Sequence, residues 1–134
     1  MIIDLPPGLH ADALQLWEIS GLTRPWNDPA TDLQRALDGP SSTLLAYVDG
    51  ALRGTVMVGH DGHRGWMYYL AVDPASRGEG IGKALVTAAE AWVLARGLPK
   101  LMLMVRADNS AALGFYAALG YDVNDVATLG RVLT

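Results

Sequence analysis

The sequence contains no cysteine. That excludes disulfides, thiolate metal sites and any acyl intermediate carried on a cysteine, so its chemistry has to run on other groups. No apolar run approaches the length of a membrane span, although 51% of the 134 residues are hydrophobic. Basic clusters are also missing: ten Lys and Arg are dispersed among fourteen Asp and Glu, leaving a formal net charge of −4. That balance disfavours a nucleic-acid partner, and an anionic ligand would need a local device to hold it. The opening Met1-Ile-Ile-Asp-Leu-Pro-Pro-Gly8 lacks the basic region and long apolar stretch of a signal peptide, so a cytoplasmic chain with no membrane partner is expected. Length and composition predict one domain over residues 1–134 with a single core.

What is present falls into an alternation of short elements. Met1 to Leu5 reads as a first strand, ended by Pro6-Pro7-Gly8. Leu9, Ala13, Leu16 and Trp17 recur at helical spacing before Gly21. The turn-rich Thr23-Arg-Pro-Trp-Asn-Asp28 follows, with Asp28-Pro29 as cap and first residue of a second helix to about Leu37. Residues 43–48 and 51–58 flank Asp49-Gly50, a two-residue hairpin signature, and His60-Asp-Gly-His-Arg-Gly65 leads into a strand over 66–72. The longest helix is predicted over Ile81 to Arg96, a buried strand over Lys100 to Arg106, and a last helix from an Asp108-Asn109 cap to Leu119. Two short terminal strands are predicted over 121–127 and 129–133. The sum is an α/β fold of the α+β type with about four helices: a mostly antiparallel mixed sheet with one parallel β-α-β crossover.

That crossover passes through Arg77-Gly-Glu-Gly-Ile-Gly-Lys83. Glycines 78, 80 and 82 leave little side-chain bulk, and the first amides of the following helix have no intrahelical partner, so the turn is a candidate phosphate site. Two familiar phosphate loops fail here. A Walker loop would need Gly at Arg77 and a hydroxyl at Ala84, and the dinucleotide fingerprint would need Gly at Leu85.

The order of elements and three motifs resemble the GNAT family of acetyl-CoA-dependent N-acetyltransferases. The motifs are Leu70-Ala-Val-Asp-Pro74, Arg77-Gly-Glu-Gly-Ile-Gly-Lys83 and Asn109-Ser-Ala-Ala-Leu-Gly-Phe-Tyr-Ala-Ala-Leu-Gly-Tyr121. Within the family the chain is most similar to the ribosomal-protein N-terminal acetyltransferases, sharing Pro25-Trp26, and to small uncharacterised bacterial acetyltransferases with the same Arg-Pro-Trp-Asn-Asp and Asp-Gly-His-Arg-Gly segments. The resemblance implies a coenzyme A pyrophosphate on Arg77, Gly78, Glu79, Gly80, Ile81, Gly82 and Lys83, with the pantetheine arm along Leu70, Ala71 and Val72 and meeting Asn109. It implies Tyr116 as the general acid for the sulfur.

One departure matters: Met104 stands where the ribosomal-protein enzymes carry a glutamate base. A base would have to come from Tyr69, His60, Asp61 or His63, or be dispensed with, leaving the small neutral fraction of the amine to react. Trp26, Asn27, Asp28 and Arg64 are candidates for the acceptor pocket, and Asp28 or Asp61 would attract a cationic amine. The two histidines lack a convincing third ligand, so no metal is expected. The expected function is acetyl transfer from acetyl-CoA to a primary amine, on a small molecule, amino acid or peptide, by direct attack in a ternary complex. The alternative is a non-catalytic module that binds acyl-CoA as a sensor. A monomer and a homodimer are both compatible with the sequence.

Overall fold

In the computed structural model, which describes Met1–Thr134, Gly50 takes φ +71 between Asp49 and Ala51 and so closes the hairpin that its dipeptide predicts. The hairpin strands β2 (Ser42–Asp49) and β3 (Ala51–His60) are the centre of the sheet. β1 (Ile2–Asp4) lies antiparallel against β2, and β4 (Gly65–Val72) antiparallel against β3. β5 (Leu101–Met102) completes the order β1-β2-β3-β4-β5 as the one parallel neighbour.

The chain divides into two compact units, residues 1–104 and 105–134. In the first, α1 (His10–Ile19) and α2 (Pro29–Asp38) supply Ala13, Leu16, Trp17 and Leu33 to a core shared with Leu44, Ala46 and Ala71 of the sheet. α3 (Ile81–Leu94) buries Ile81, Leu85, Val86, Ala89 and Val93. Asp28 caps α2, its side chain accepting from the Thr31 amide and hydroxyl at 3.2 and 2.8 Å, with Pro29 as first helical residue. No helix is long and apolar enough to cross a membrane.

Two departures from the sequence expectation concern strand ends. β5 covers Leu101–Met102 and not Lys100 to Arg106: it pairs with β4 only at Gly65 and Trp66, three residues short of the irregularity in β4 at Tyr69. The terminal strands over 121–127 and 129–133 are absent. Their apolar residues alternate with Asp122, Asn124, Asp125 and Gly130, poor strand formers, and no ladder joins them; Val123, Leu129 and Leu133 are fully exposed in consequence.

Gly54 shows how tightly α3 lies on β3. A Cβ there would stand 2.9 Å from the Ala71 carbonyl oxygen and 2.9 Å from Leu85 Cδ1. Backbone cannot yield as a side-chain tip can, so Gly54→Ala is expected to cost roughly 1–3 kcal/mol through overpacking. Thermal unfolding checks it; an unchanged Tm would show that the sheet and helix can part without cost.

Candidate functional site

β4 organises the site. Opposite Val56, the stretch between Ala71 and Tyr68 contains two residues, Tyr69 and Leu70, where β3 has one. This is a β-bulge, and at its start Tyr69 adopts φ +52, a left-handed conformation that a bulky residue rarely takes and that costs about 1–3 kcal/mol. Two consequences follow. The period-2 alternation is broken, so successive Tyr68 and Tyr69 both face the side on which α1 and α2 pack. And beyond Trp66 no strand of the sheet pairs with the outer edge of β4, which leads directly to the glycine turn.

The turn is anchored at its start by Asp73. Its carboxylate accepts from the Ala75 amide at 3.1 Å, its own amide donates to the Arg53 carbonyl at 2.8 Å, and Arg53 approaches it at 3.8 Å. A single 3-10 turn over Pro74–Ser76 then delivers Gly78 and Gly80, at φ +82 and +78, with open space where each Cβ would be. Gly80 is the N-cap of α3, and the first amide bonded inside the helix is that of Ala84. The amides of Ile81, Gly82 and Lys83 are therefore the helix's free donors, at the positive end of its dipole.

On the opposite side of β4 lies a cleft of about 670 Å³, walled by α2, the α1–α2 segment and the ends of β3 and β4. Leu22, Met57 and the rings of Trp66, Tyr68 and Tyr69 give it an apolar lining; Asn27, Asp32, Arg35, His60 and Asp61 give it polar groups. The Tyr69 hydroxyl donates to Asp32 Oδ2 at 2.8 Å. Burial, and then that bond to a carboxylate, raise the Tyr69 pKa well above the phenol range. Asp61 Oδ1 accepts from the amides of His63 and Arg64, each at 2.8 Å, and Oδ2 from the Trp66 indole at 3.3 Å, which holds its pKa down at about 2. Burial and the Asp61 charge raise Tyr68.

Of the acceptor-pocket candidates, the structure brings Asp61, Tyr69 and Asn27 into this cleft and leaves three out. Trp26 is 70% exposed and does not line it, Asp28 is engaged as the α2 cap, and the Arg64 guanidinium turns back onto the His63 carbonyl at 3.1 Å. Among the base candidates, the Tyr69 phenol already donates to Asp32, and the Asp61 carboxylate is occupied by two amides and an indole. His60 accepts from the Gly62 amide through Nδ1 at 3.1 Å, which leaves the proton of its neutral ring on Nε2. His63 and His60 gather no group of three metal-ligating side chains. The residue the sequence reading missed is Asp32. It lies four residues before the buried Ala36, hence on the sheet-facing side of α2, and that spacing was its only signal.

In the second unit, α4 (Ser110–Ala118) is capped by Asn109, whose side chain accepts from the Ala112 amide at 3.1 Å. Tyr116 sits edge-on between Phe115 and Tyr121, at ring-centroid distances of 5.1 and 5.8 Å, and burial pushes its pKa up to about 12.

With this geometry in view, comparison with known proteins gives a consistent result. The model of the Acetyltransferase (GNAT) family matches residues 11–121. An acetyltransferase of Pectobacterium atrosepticum is 50% identical over 121 residues, covering 90% of this chain and 86% of that protein. One from Yersinia enterocolitica is 48% identical over 123 residues, covering 91% and 87%. Among solved structures, AAC(6')-Iy in complex with the bisubstrate analogue CoA-S-monomethyl-acetylneamine superposes with a TM-score of 0.83 at 16% identity, over 100% of this chain and 98% of that one. The chain belongs to the GNAT acetyltransferase family. It is an acetyltransferase, and the enzymes of its family use acetyl-CoA.

The Asp61 geometry has a measurable consequence. A carboxylate whose folded pKa lies near 2, below its ordinary 3.8, contributes loop stability that is complete above the ordinary value and lost as pH falls through 2. Amide exchange at His63 and Arg64 is expected to be protected at pH 4 and open near pH 2. Opening already at pH 4 would contradict the bonding described.

Proposed function

We propose that the chain transfers acetyl from acetyl-CoA to a primary amine, with residues 1–134 acting as one catalytic domain and the cleft beside Tyr69 receiving the amine. The observation that carries this is the placement of two unlike binding features on one bulged strand: an unpaired edge running into a left-handed glycine turn, and a carboxylate-bearing aromatic cleft.

The glycine turn suits a pyrophosphate. Two left-handed glycines with open space above them let an anion approach the amides of Ile81, Gly82 and Lys83, with Arg77 and Lys83 exposed at its flanks. Leu70, Ala71 and Val72 would hold an amide-bearing arm by pairing as with an added strand. When bound, acetyl-CoA supplies the acyl group as a thioester. The residues of this chain hold it, orient the amine and manage protons. Asn109 would contact the pantetheine arm. Tyr116, protonated at all working pH, would donate to the departing sulfur. With no cysteine to carry the acetyl group, the amine attacks directly in a ternary complex.

Met104 carries no basic group, the Tyr69 phenol donates to Asp32 and the Asp61 carboxylate is occupied by its donors, so the proton of the attacking nitrogen goes either to His60, which lines the same cleft, or to solvent from the neutral fraction of the amine. With no base at work, rate should climb with pH toward the amine's own pKa, whereas loss of turnover in His60→Gln would assign the base to His60. The acceptor is a cationic amine before it reacts, drawn in by the Asp32 and Asp61 carboxylates.

Thiol release from acetyl-CoA, followed with a thiol-reactive dye over alkylamines, amino acids, amino-acid amides and short peptides, tests the proposal directly. The protein contributes no thiol of its own. Release stimulated by amines is expected; silence from a protein that binds acetyl-CoA would favour a sensor. Two substitutions sharpen the test. Gly80→Val, forced into φ +78, should abolish acetyl-CoA binding where Glu79→Ala leaves it within about threefold. Tyr116→Phe should lower kcat by about a hundredfold with little change in the acetyl-CoA KM, and an unchanged kcat would remove Tyr116 from the mechanism.

A further inference from the structure

Tyr69 is the sole non-glycine residue with positive φ, and three contacts of its own, with a fourth between two of its partners, hold it there. Its ring stacks on Trp17 with centroids 3.9 Å apart and planes 17° from parallel. Its carbonyl, displaced from the β3 ladder by the bulge, accepts from Thr55 Oγ1 at 3.0 Å. The Trp17 indole donates to the same Thr55 Oγ1 at 2.9 Å. Its hydroxyl reaches Asp32 at 2.8 Å. Trp17 and Thr55 are both completely buried, so this is a closed ring of polar and stacking contacts inside the core with one arm extending into the cleft.

The two cleft carboxylates differ in what they have left to offer. Asp61 is consumed by two amides and an indole. Asp32 takes one bond, from Tyr69 to Oδ2, and although Arg35 lines the same cleft it makes no ion pair with Asp32. Oδ1 of Asp32 thus has no partner within the protein, in a cleft also lined by Trp66, Tyr68 and Tyr69, side chains of the type that attracts cations.

We propose that Asp32 determines acceptor specificity by taking the ammonium of the amine, and that Thr55 and Trp17 are positioning residues that aim it, acting through the clamped Tyr69. This rests on the acceptor role of the cleft. The same clamp fixes the backbone at Tyr69 and Leu70, so one buried threonine sets the carboxylate and the strand edge relative to each other.

The test uses binding, so that it stands apart from turnover. Benzylamine and benzyl alcohol have nearly the same shape, and only the first is a cation at neutral pH. Titrated into the wild-type protein by amide chemical-shift perturbation, benzylamine is expected to move the Asp32, Tyr68 and Tyr69 signals and to bind at least tenfold more tightly than the alcohol. Asp32→Asn should erase the preference. Tyr69→Phe keeps the ring on Trp17 but frees Asp32, and should reduce the preference to about threefold. Thr55→Val should reduce it likewise, with recovery in Thr55→Ser, which restores the hydroxyl. A general loss of stability would weaken both ligands alike and leave their ratio standing. Equal binding of the two probes to wild type, a preference that survives Asp32→Asn, or a folded Thr55→Val or Tyr69→Phe protein with the full preference would each overturn the proposal. Should Thr55→Val fail to fold, Tyr69→Phe decides. Absence of amine-stimulated thiol release alongside a wild-type preference would overturn the acceptor role while leaving the binding of an ammonium by Asp32 supported.

Discussion

The left-handed backbone at Tyr69 is an unfavourable conformation in the middle of a strand, and much of the first unit is arranged so that it persists. Strain of this kind survives only where its surroundings over-determine it. Here Trp17 covers the ring, Thr55 satisfies the displaced carbonyl and Asp32 receives the hydroxyl. Removing the bulge would let β4 pair straight along β3 and return Tyr68 and Tyr69 to opposite faces of the sheet, leaving the cleft with one tyrosine wall fewer. The same removal would let a neighbouring strand run further along β4 and cover the edge that now stays unpaired. One strained residue thus makes room on two sides of a strand.

The electrostatics of the cleft are consistent with a site that binds a cation without taking its proton. Asp61 is locked as a carboxylate by neutral donors, amides and an indole, so its charge is not cancelled by a cationic partner. Tyr69 is locked as a phenol by burial and by the charge it points at.

Much of the fold was legible in the sequence, and the reason is local chemistry. Asp49-Gly50, Asp28-Pro29 and the Asn109 cap each encode a backbone geometry within a few residues, and each appears as encoded. The glycine turn was legible for the same reason. What could not be read depended on partners far away in sequence. The bulge at Tyr69 arises from Thr55 and Trp17, 14 and 52 positions distant, and a period-2 reading of Trp66 to Val72 has no means of registering one extra residue. The cleft shows the same boundary: Asp61 and Tyr69, which line it, lie beside recognisable turns and motifs, whereas Asp32 sits in the first turn of α2, where an acidic residue is ordinary, and Trp26, conspicuous in sequence, faces solvent.

Why Asp32 should come from a helix and not from the sheet follows from the geometry of the bulge itself. A carboxylate in place of Tyr68 would lie on the same strand as Tyr69, where the bulge fixes its direction, and the cleft would lose an aromatic wall. Carried on α2, it reaches the phenol from across the cleft with its outer oxygen still open, and Asp28, one helical turn earlier, fixes where α2 begins. The N-cap therefore bears on the cleft without lining it: by setting the start of α2, it sets how far Asp32 stands from the strand that holds Tyr69.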